Sequence, residues 1–93
     1  NMFDKLGQLK DLAKMRSEAM KLQKELEQII ITVDHKGVRV RVNASNKVLY
    51  IESNGKGDEA IVEAINEAFK KVQKDAAKKM MEMGGGLSGL LGR

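Results

Sequence analysis

The hydrophobic positions of this chain change their spacing along the sequence, and the first spacing is that of a helix. From Phe3 to about Gln28 the apolar residues recur at alternating steps of three and four, which places them on one helical face. The members of this seam are Leu12, Met15, Ala19, Leu22, Leu26 and Ile29. Because the steps average 3.5 residues, the seam could pack against a partner helix as in a coiled coil. Packing on a sheet would use the same stripe, and we expect this for the C-terminal half of the helix.

The middle of the chain has the two-residue period of β-strands. Val38, Val40 and Val42 alternate with polar residues, the pattern of a half-buried strand. A β-branched segment precedes them at 29–35, and a third segment follows at 47–53. Because the breaks between these segments are short, neighbouring strands should pair antiparallel as hairpins. The sequence predicts a three-stranded antiparallel meander.

A second helical period follows the glycine-containing segment 54–57. Asp58 and Glu59 place negative charge where a helix N-terminus favours it. The apolar face then runs to about Met83, where three glycines end it. Its members are Ile61, Ile65, Ala68, Phe69, Val72, Ala76 and Met80. With Asn1 set aside as a cloning remnant, we predict one α+β domain over 2–83, of order α-β-β-β-α, and a Gly- and Leu-rich tail over 84–93.

The predicted helices are longer than the predicted sheet. About 25 residues at ~1.5 Å each give a helix of roughly 38 Å, whereas strands of ~7 residues span only about 23 Å. An apolar stripe that extends beyond its own sheet is an aggregation hazard, and a second copy of the chain would cover it. We therefore expect a homodimer with projecting helices.

Composition narrows the class of protein. Hydrophobic residues make up 42% and charged residues 32%, which fits a folded protein, and aromatics make up only 3%, so the core should be aliphatic. The absence of cysteine excludes disulfides and thiolate metal sites and favours a reducing cytoplasm. No apolar run approaches the ~20 residues that a membrane-spanning helix needs. A cytoplasmic protein is expected.

Residues that could perform catalysis are nearly absent from the sequence. The single histidine, His35, falls in a predicted turn, and no cysteine is available as a nucleophile. The triple glycine follows a helix and lacks the Lys-Ser or Lys-Thr of a phosphate-binding loop. We predict a protein that is not an enzyme and has no catalytic residues, cofactor, metal site or small-molecule substrate.

The charge balance suits an anionic partner. Lysine and arginine number 17 against 13 acidic residues, the formal charge is +4, and the pI is about 9.4. The second half of the second helix is rich in lysine, whereas lysines of the first helix are interleaved with acids. The alternative for these lysines is that they complement a helix dipole or simply face solvent. Arg39 and Arg41 lie on one face of the middle strand and could likewise contact phosphate or simply face solvent. Few aromatics are present to stack on single-stranded bases, so duplex backbone is the favoured nucleic-acid target.

Several local strings resemble one protein family over nearly the whole chain. They are the Met2-Phe3 start, a first helix rich in Met, Gln and Lys that ends in Leu26-Glu27, the short-turned strands, the string Ile65-Asn66-Glu67-Ala68-Phe69-Lys70-Lys71, and the Met-rich helix end at 80–86. The chain thereby resembles the YbaB/EbfC family of bacterial nucleoid-associated proteins.

The resemblance implies a homodimer whose projecting helices bind duplex DNA in the nucleoid with limited sequence preference. The contacts it implies lie on the two helices, at Lys10, Lys14, Arg16, Lys21, Lys70, Lys71, Lys74, Lys78 and Lys79. The alternative is a protein-interaction module. Its adaptable surface would consist of the methionines at the helix ends, namely Met15, Met20, Met80, Met81 and Met83.

Overall fold

The computed structural model describes residues 2–82, except for the side chain of residue 3, and it has the predicted order of elements. These are α1 (Met2–Gln28), β1 (Ile30–His35), β2 (Val38–Asn43), β3 (Val48–Glu52) and α2 (Asp58–Glu82). The α+β class and the α-β-β-β-α order are confirmed. Met83 and the predicted tail over 84–93 lie outside the described residues.

The three strands form one antiparallel sheet in the order β1-β2-β3. Lys36 and Gly37 make the two-residue turn between β1 and β2, with φ of 50° and 88°. Two left-handed residues give the turn the twist that its flanking strands require. At Gly37 the left-handed φ is what favours glycine, because side chains rarely adopt it, whereas the nearest atom to an added Cβ, Cε of Lys56, belongs to a flexible side chain that can move. This turn fixes the register of the first hairpin.

The second hairpin contains a β-bulge. Arg41 pairs with Tyr50 whereas Val42 pairs with Val48, so Leu49 is an extra residue on β3. β3 is also shorter than the predicted 47–53, because the backbone amide of Asn43 donates to the carbonyl of Lys47 and includes that residue in the turn. The bulge interrupts the regular ladder at the outer strand of the sheet.

The hydrophobic core lies between α2 and the first two strands. α2 packs across β1 and β2 through a row of small residues at steps of four, which lets the helix approach the sheet closely. The buried apolar side chains are Ile29, Val33, Val38, Val40, Val42, Ala64, Ala68, Val72 and Ala76. The core is aliphatic, as composition predicted. Since the burial continues to Ala76, only the last turns of α2 extend past the sheet.

Among residues 2–82, α1 contacts the other elements near its C-terminal end. Leu22 and Leu26 are half-buried, whereas Leu12 and Met15 are 61% and 63% exposed. The radius of gyration is 18.4 Å, against about 12 Å for a compact domain of this length, and the longest axis is 64 Å. α1 therefore projects beyond the sheet as predicted, whereas α2 lies mostly on its own sheet and extends past it only in its last turns.

A buried asparagine joins α1 to the sheet. Asn43 is 3% exposed, and its Nδ2 donates to the carbonyl of Glu27 at the end of α1, 3.4 Å away. Its Oδ1 accepts from the backbone amides of Ser45 and Lys47, at 3.0 and 3.1 Å. One side chain thus satisfies polar groups of both the helix end and the β2–β3 turn.

Candidate nucleic-acid interface

The charges of α1, which alternate along the sequence, separate onto different faces once the segment is helical. Four lysines follow one another at steps of four, seven and three, which keeps them on one face, nearly opposite the apolar seam. This α1 basic stripe consists of Lys10, Lys14, Lys21 and Lys24, all exposed. Acidic residues follow a second line at steps of seven, consisting of Asp4, Asp11, Glu18 and Glu25.

The α1 basic stripe contains three of the four residues predicted on this helix. Arg16 lies beside the stripe, and a shallow open depression on α1 brings it near two stripe lysines. The depression is lined by Ala13, Arg16, Ser17, Met20, Lys21 and Lys24. Lys24 is absent from the predicted set. Its spacing from Lys10, Lys14 and Lys21 is the signal that would have identified it.

α2 carries a second row of lysines on its outer side. Each follows a buried residue of the helix by two positions, which is a rotation of about 200°. This α2 basic stripe consists of Lys70, Lys74 and Lys78, and all three side chains are exposed. Within residues 2–82 none of them makes an ion pair. The row therefore presents exposed lysines, without an ion pair over 2–82, on the side of α2 that faces away from the sheet.

The other two predicted lysines of α2 lie on a flank of the helix that also carries acids. Lys79 Nζ is 3.4 Å from Asp75 Oδ2, one turn away. Lys71 lies between Glu67 and Asp75 on the same row of the helix. Lys79 thus forms an ion pair within its own helix, which no lysine of the α2 basic stripe does over residues 2–82.

The acidic start of α2 is tied to the first hairpin. Glu63 Oε1 lies 2.8 Å from Lys36 Nζ and 3.6 Å from His35 Nε2. The hydrogen bond from Lys36, its positive charge and the hydrogen bond from His35 lower the pKa of Glu63. This contact holds the negative end of α2 over the turn between β1 and β2, away from the α2 basic stripe.

The two arginines of β2 lie on the sheet face that α2 does not cover. Arg39 Nε is 3.1 Å from Asp34 Oδ1, and its Nη1 is 3.7 Å from Glu52 Oε1. The hydrogen bond and charge of Asp34 raise the pKa of Arg39 above its ordinary value. Arg41 donates to Thr32 and lies over the ring of Tyr50, 5.7 Å from its centroid. Local partners thus offset the charge of Arg39, in contrast to the lysines of the α2 basic stripe.

Over 2–82, no three His, Asp or Glu side chains are placed so that they could hold a metal ion. Neither helix of that range combines the length and apolar character needed to cross a membrane.

Comparison with known proteins gives one match. The family model described as the YbaB/EbfC DNA-binding family matches residues 2–87. Searches of curated proteins and of solved structures gave no match. The matched range includes both helices, the whole sheet and both basic stripes.

Proposed function

Since the chain belongs to the YbaB/EbfC DNA-binding family, we propose that it is a non-enzymatic nucleoid-associated protein. It binds duplex DNA as a homodimer, through contacts between lysines and phosphates and with little sequence preference. The observation that carries this proposal is the position of the two basic stripes, each on the side of its helix opposite the apolar face. Packing of either helix leaves its lysines available to DNA.

The dimensions of the stripes suit a phosphate backbone. The α1 basic stripe extends over 14 residue steps, about 21 Å, and the α2 basic stripe over eight steps, about 12 Å. Duplex DNA carries one negative charge per ~1.7 Å of its axis, so either stripe meets several phosphates. Lysine is a flexible point charge, and phosphate contacts carry no sequence information of their own. Low sequence preference follows from this chemistry.

The exposed seam of α1 supports the homodimer. A projecting helix whose apolar residues face water is unfavourable unless a second surface covers it. A two-fold dimer provides that surface with the same chain. It also doubles the number of basic stripes, which strengthens an interaction made of many weak charge contacts.

A salt titration of DNA binding tests the proposal. Fluorescence anisotropy with two duplexes of unrelated sequence should give similar affinities, which fall steeply between low and moderate salt, with a slope of about −0.9 per phosphate neutralised. Replacing either Lys14 or Lys21 by Glu should weaken binding to both duplexes alike. Lys56→Glu, a charge reversal of the same kind in the loop before α2, is the matched control. No binding at low salt would contradict the proposal.

A protein-interaction role is the second candidate, and the exposure of three methionines favours it. Met15, Met20 and Met81 are all exposed, and Met80 is half-buried. Flexible thioether side chains form adaptable contact surfaces. Capture of partners from lysate, with and without nuclease, separates the candidates, because partners held through DNA are lost after digestion whereas direct partners remain.

A further inference from the structure

The third strand of the sheet is not covered by the helix that covers the other two. Val40 and Ile51 are register partners, so their side chains lie on the same sheet face. Val40 is fully buried beneath α2, whereas Ile51 is 41% exposed. Leu49, two residues before Ile51, is similarly exposed. The helix-side face of β3 is therefore an apolar surface open to solvent.

α2 provides a wall beside this surface. Glu63 points from one flank of α2 toward His35 and Lys36 at the end of β1. Ile61 and Ile65 are each two positions from Glu63, which places them on the opposite flank of the helix, the side of β3. With Phe69 they form a half-buried apolar row. The row and the uncovered strand define the β3 groove, with Leu49 and Ile51 as its floor and Ile61, Ile65 and Phe69 as its wall.

The same chain carries an apolar helix face of matching length. From Leu12 to Leu22 the α1 seam extends over ten residue steps, about 15 Å, and the groove wall from Ile61 to Phe69 extends about 12 Å. Within one chain the two surfaces do not meet, because α1 is held at Leu26 and Asn43 and projects away from the sheet.

We infer that the α1 seam of a second copy of the chain fills the β3 groove, and that the exchange is reciprocal. This inference rests on the homodimer proposed above and names its interface. A two-fold arrangement repeats the same contact twice. This single type of contact covers the α1 seam and the β3 groove of both chains. An unrelated partner would have to cover the seam and the groove separately. Docking of the seam also turns the α1 basic stripe outward, toward DNA.

Edge-to-edge pairing of two β3 strands is the competing arrangement of the same dimer. It would extend the sheet but leave both the α1 seam and the β3 groove in water. The bulge at Leu49 also interrupts the hydrogen-bonding ladder of this strand. Reciprocal docking of α1 therefore buries more of the exposed apolar surface than edge pairing does.

Disulfide trapping tests the interface directly, since the chain has no cysteine of its own. Chains carrying Leu12→Cys or Met15→Cys are mixed with chains carrying Leu49→Cys and oxidised. The inference expects mixed disulfide dimers to exceed Leu49→Cys dimers for at least one of the two seam positions. Lys14→Cys, on the opposite side of α1, is the control and should give few mixed dimers. A predominance of Leu49→Cys dimers would overturn the inference in favour of edge pairing.

A charge placed in the groove gives an independent test. Ile51→Glu should shift the protein from dimer to monomer in sedimentation equilibrium and leave its circular dichroism unchanged, because the side chain is already partly exposed. Tyr50→Glu is the matched control. Tyr50 is 45% exposed on the opposite face of the same strand, where its register partner is Arg41, and its variant should remain dimeric.

The outcomes separate this inference from the proposed function. If Ile51→Glu remains a dimer, the interface is wrong while the homodimer stands. If the wild-type chain is monomeric at all concentrations and still binds DNA, both the dimer and its interface fail, and the lysine contacts survive. If the dimer dissociates as expected but the wild type does not bind DNA, the interface stands and the DNA-binding proposal fails.

Discussion

α1 and α2 are nearly equal in length, with 27 and 25 residues, but they use their apolar faces differently. α2 buries a row of alanines and a valine against its own sheet as far as Ala76. α1 carries larger apolar residues at the same helical spacing and leaves most of them exposed. Small side chains let α2 lie close to the valines of the sheet, whereas the larger α1 seam projects beyond it.

The largest effect should come from a charge placed in the packed face of α2. Val72 is fully buried, and Val72→Asp leaves a carboxylate without a partner, so we expect the free energy of unfolding to fall by ~4 kcal/mol or more. Leu12→Asp, at an exposed position of α1, should leave the secondary structure intact. Urea denaturation followed by circular dichroism measures both. Equal loss of structure in the two variants would contradict the comparison of the helices.

The next effect concerns DNA and compares the two basic stripes. Lys70, Lys74 and Lys78 changed together to Gln should reduce the salt dependence of DNA binding by about three phosphate equivalents per protomer, because each lysine neutralises about one phosphate. Changing Lys14, Lys21 and Lys24 together to Gln should reduce the salt dependence by the same amount. Anisotropy titrations over a salt series provide the slopes.

The control for the stripes lies on the flank of α2. Lys71 and Lys79 changed to Gln should alter the slope less per residue, since Asp75 already offsets the charge of Lys79. A loss per residue as large as that of the stripes would mean that DNA contacts the flank, and the distinction between stripe and flank would be wrong.

A smaller effect is expected where α1 joins the sheet. Asn43→Ala leaves the amides of Ser45 and Lys47 and the carbonyl of Glu27 without this partner, which should lower the free energy of unfolding by about 1–3 kcal/mol. Amide hydrogen exchange should quicken at Ser45 and Lys47 before it does in the core strands. Asn66→Ala, at an exposed position of α2, is the control and should change neither measurement. Unchanged exchange in the Asn43 variant would mean that backbone bonds alone hold the joint.

The smallest effect is a pH dependence at the other end of the sheet. Because Lys36 and His35 lower the pKa of Glu63 in the folded protein, this carboxylate adds stability above its ordinary pKa of 4.5. That contribution is lost as the pH falls through the lowered folded value. Glu63→Gln should therefore melt below the wild type at neutral pH, and the difference should vanish in acid. Thermal melts at both pH values measure it; a difference that persists in acid would mean that Glu63 acts by packing.

The predicted fold follows from local patterns, and the site follows from them only in part. The valine alternation of β2 indicates its buried face, because successive strand residues point to opposite sides. The interleaved charges of α1 look evenly mixed along the chain. Only a continuous helix from Met2 to Gln28 separates them into a basic stripe with Lys24 and an acidic line. Asn43 reads as the end of a strand, and its buried contacts depend on where α1 meets the turn.

The elements, their order, the aliphatic core and the family can be predicted from the amino-acid pattern, because each depends on spacing or on local strings. Which apolar faces are covered depends on how the elements pack in space. Ile51 and Val40 have equivalent places in the alternation of their strands, yet only Val40 lies under α2. The physical reason is that periodicity reports which side of an element is apolar, whereas the surface that covers it is set by the position of other elements in space.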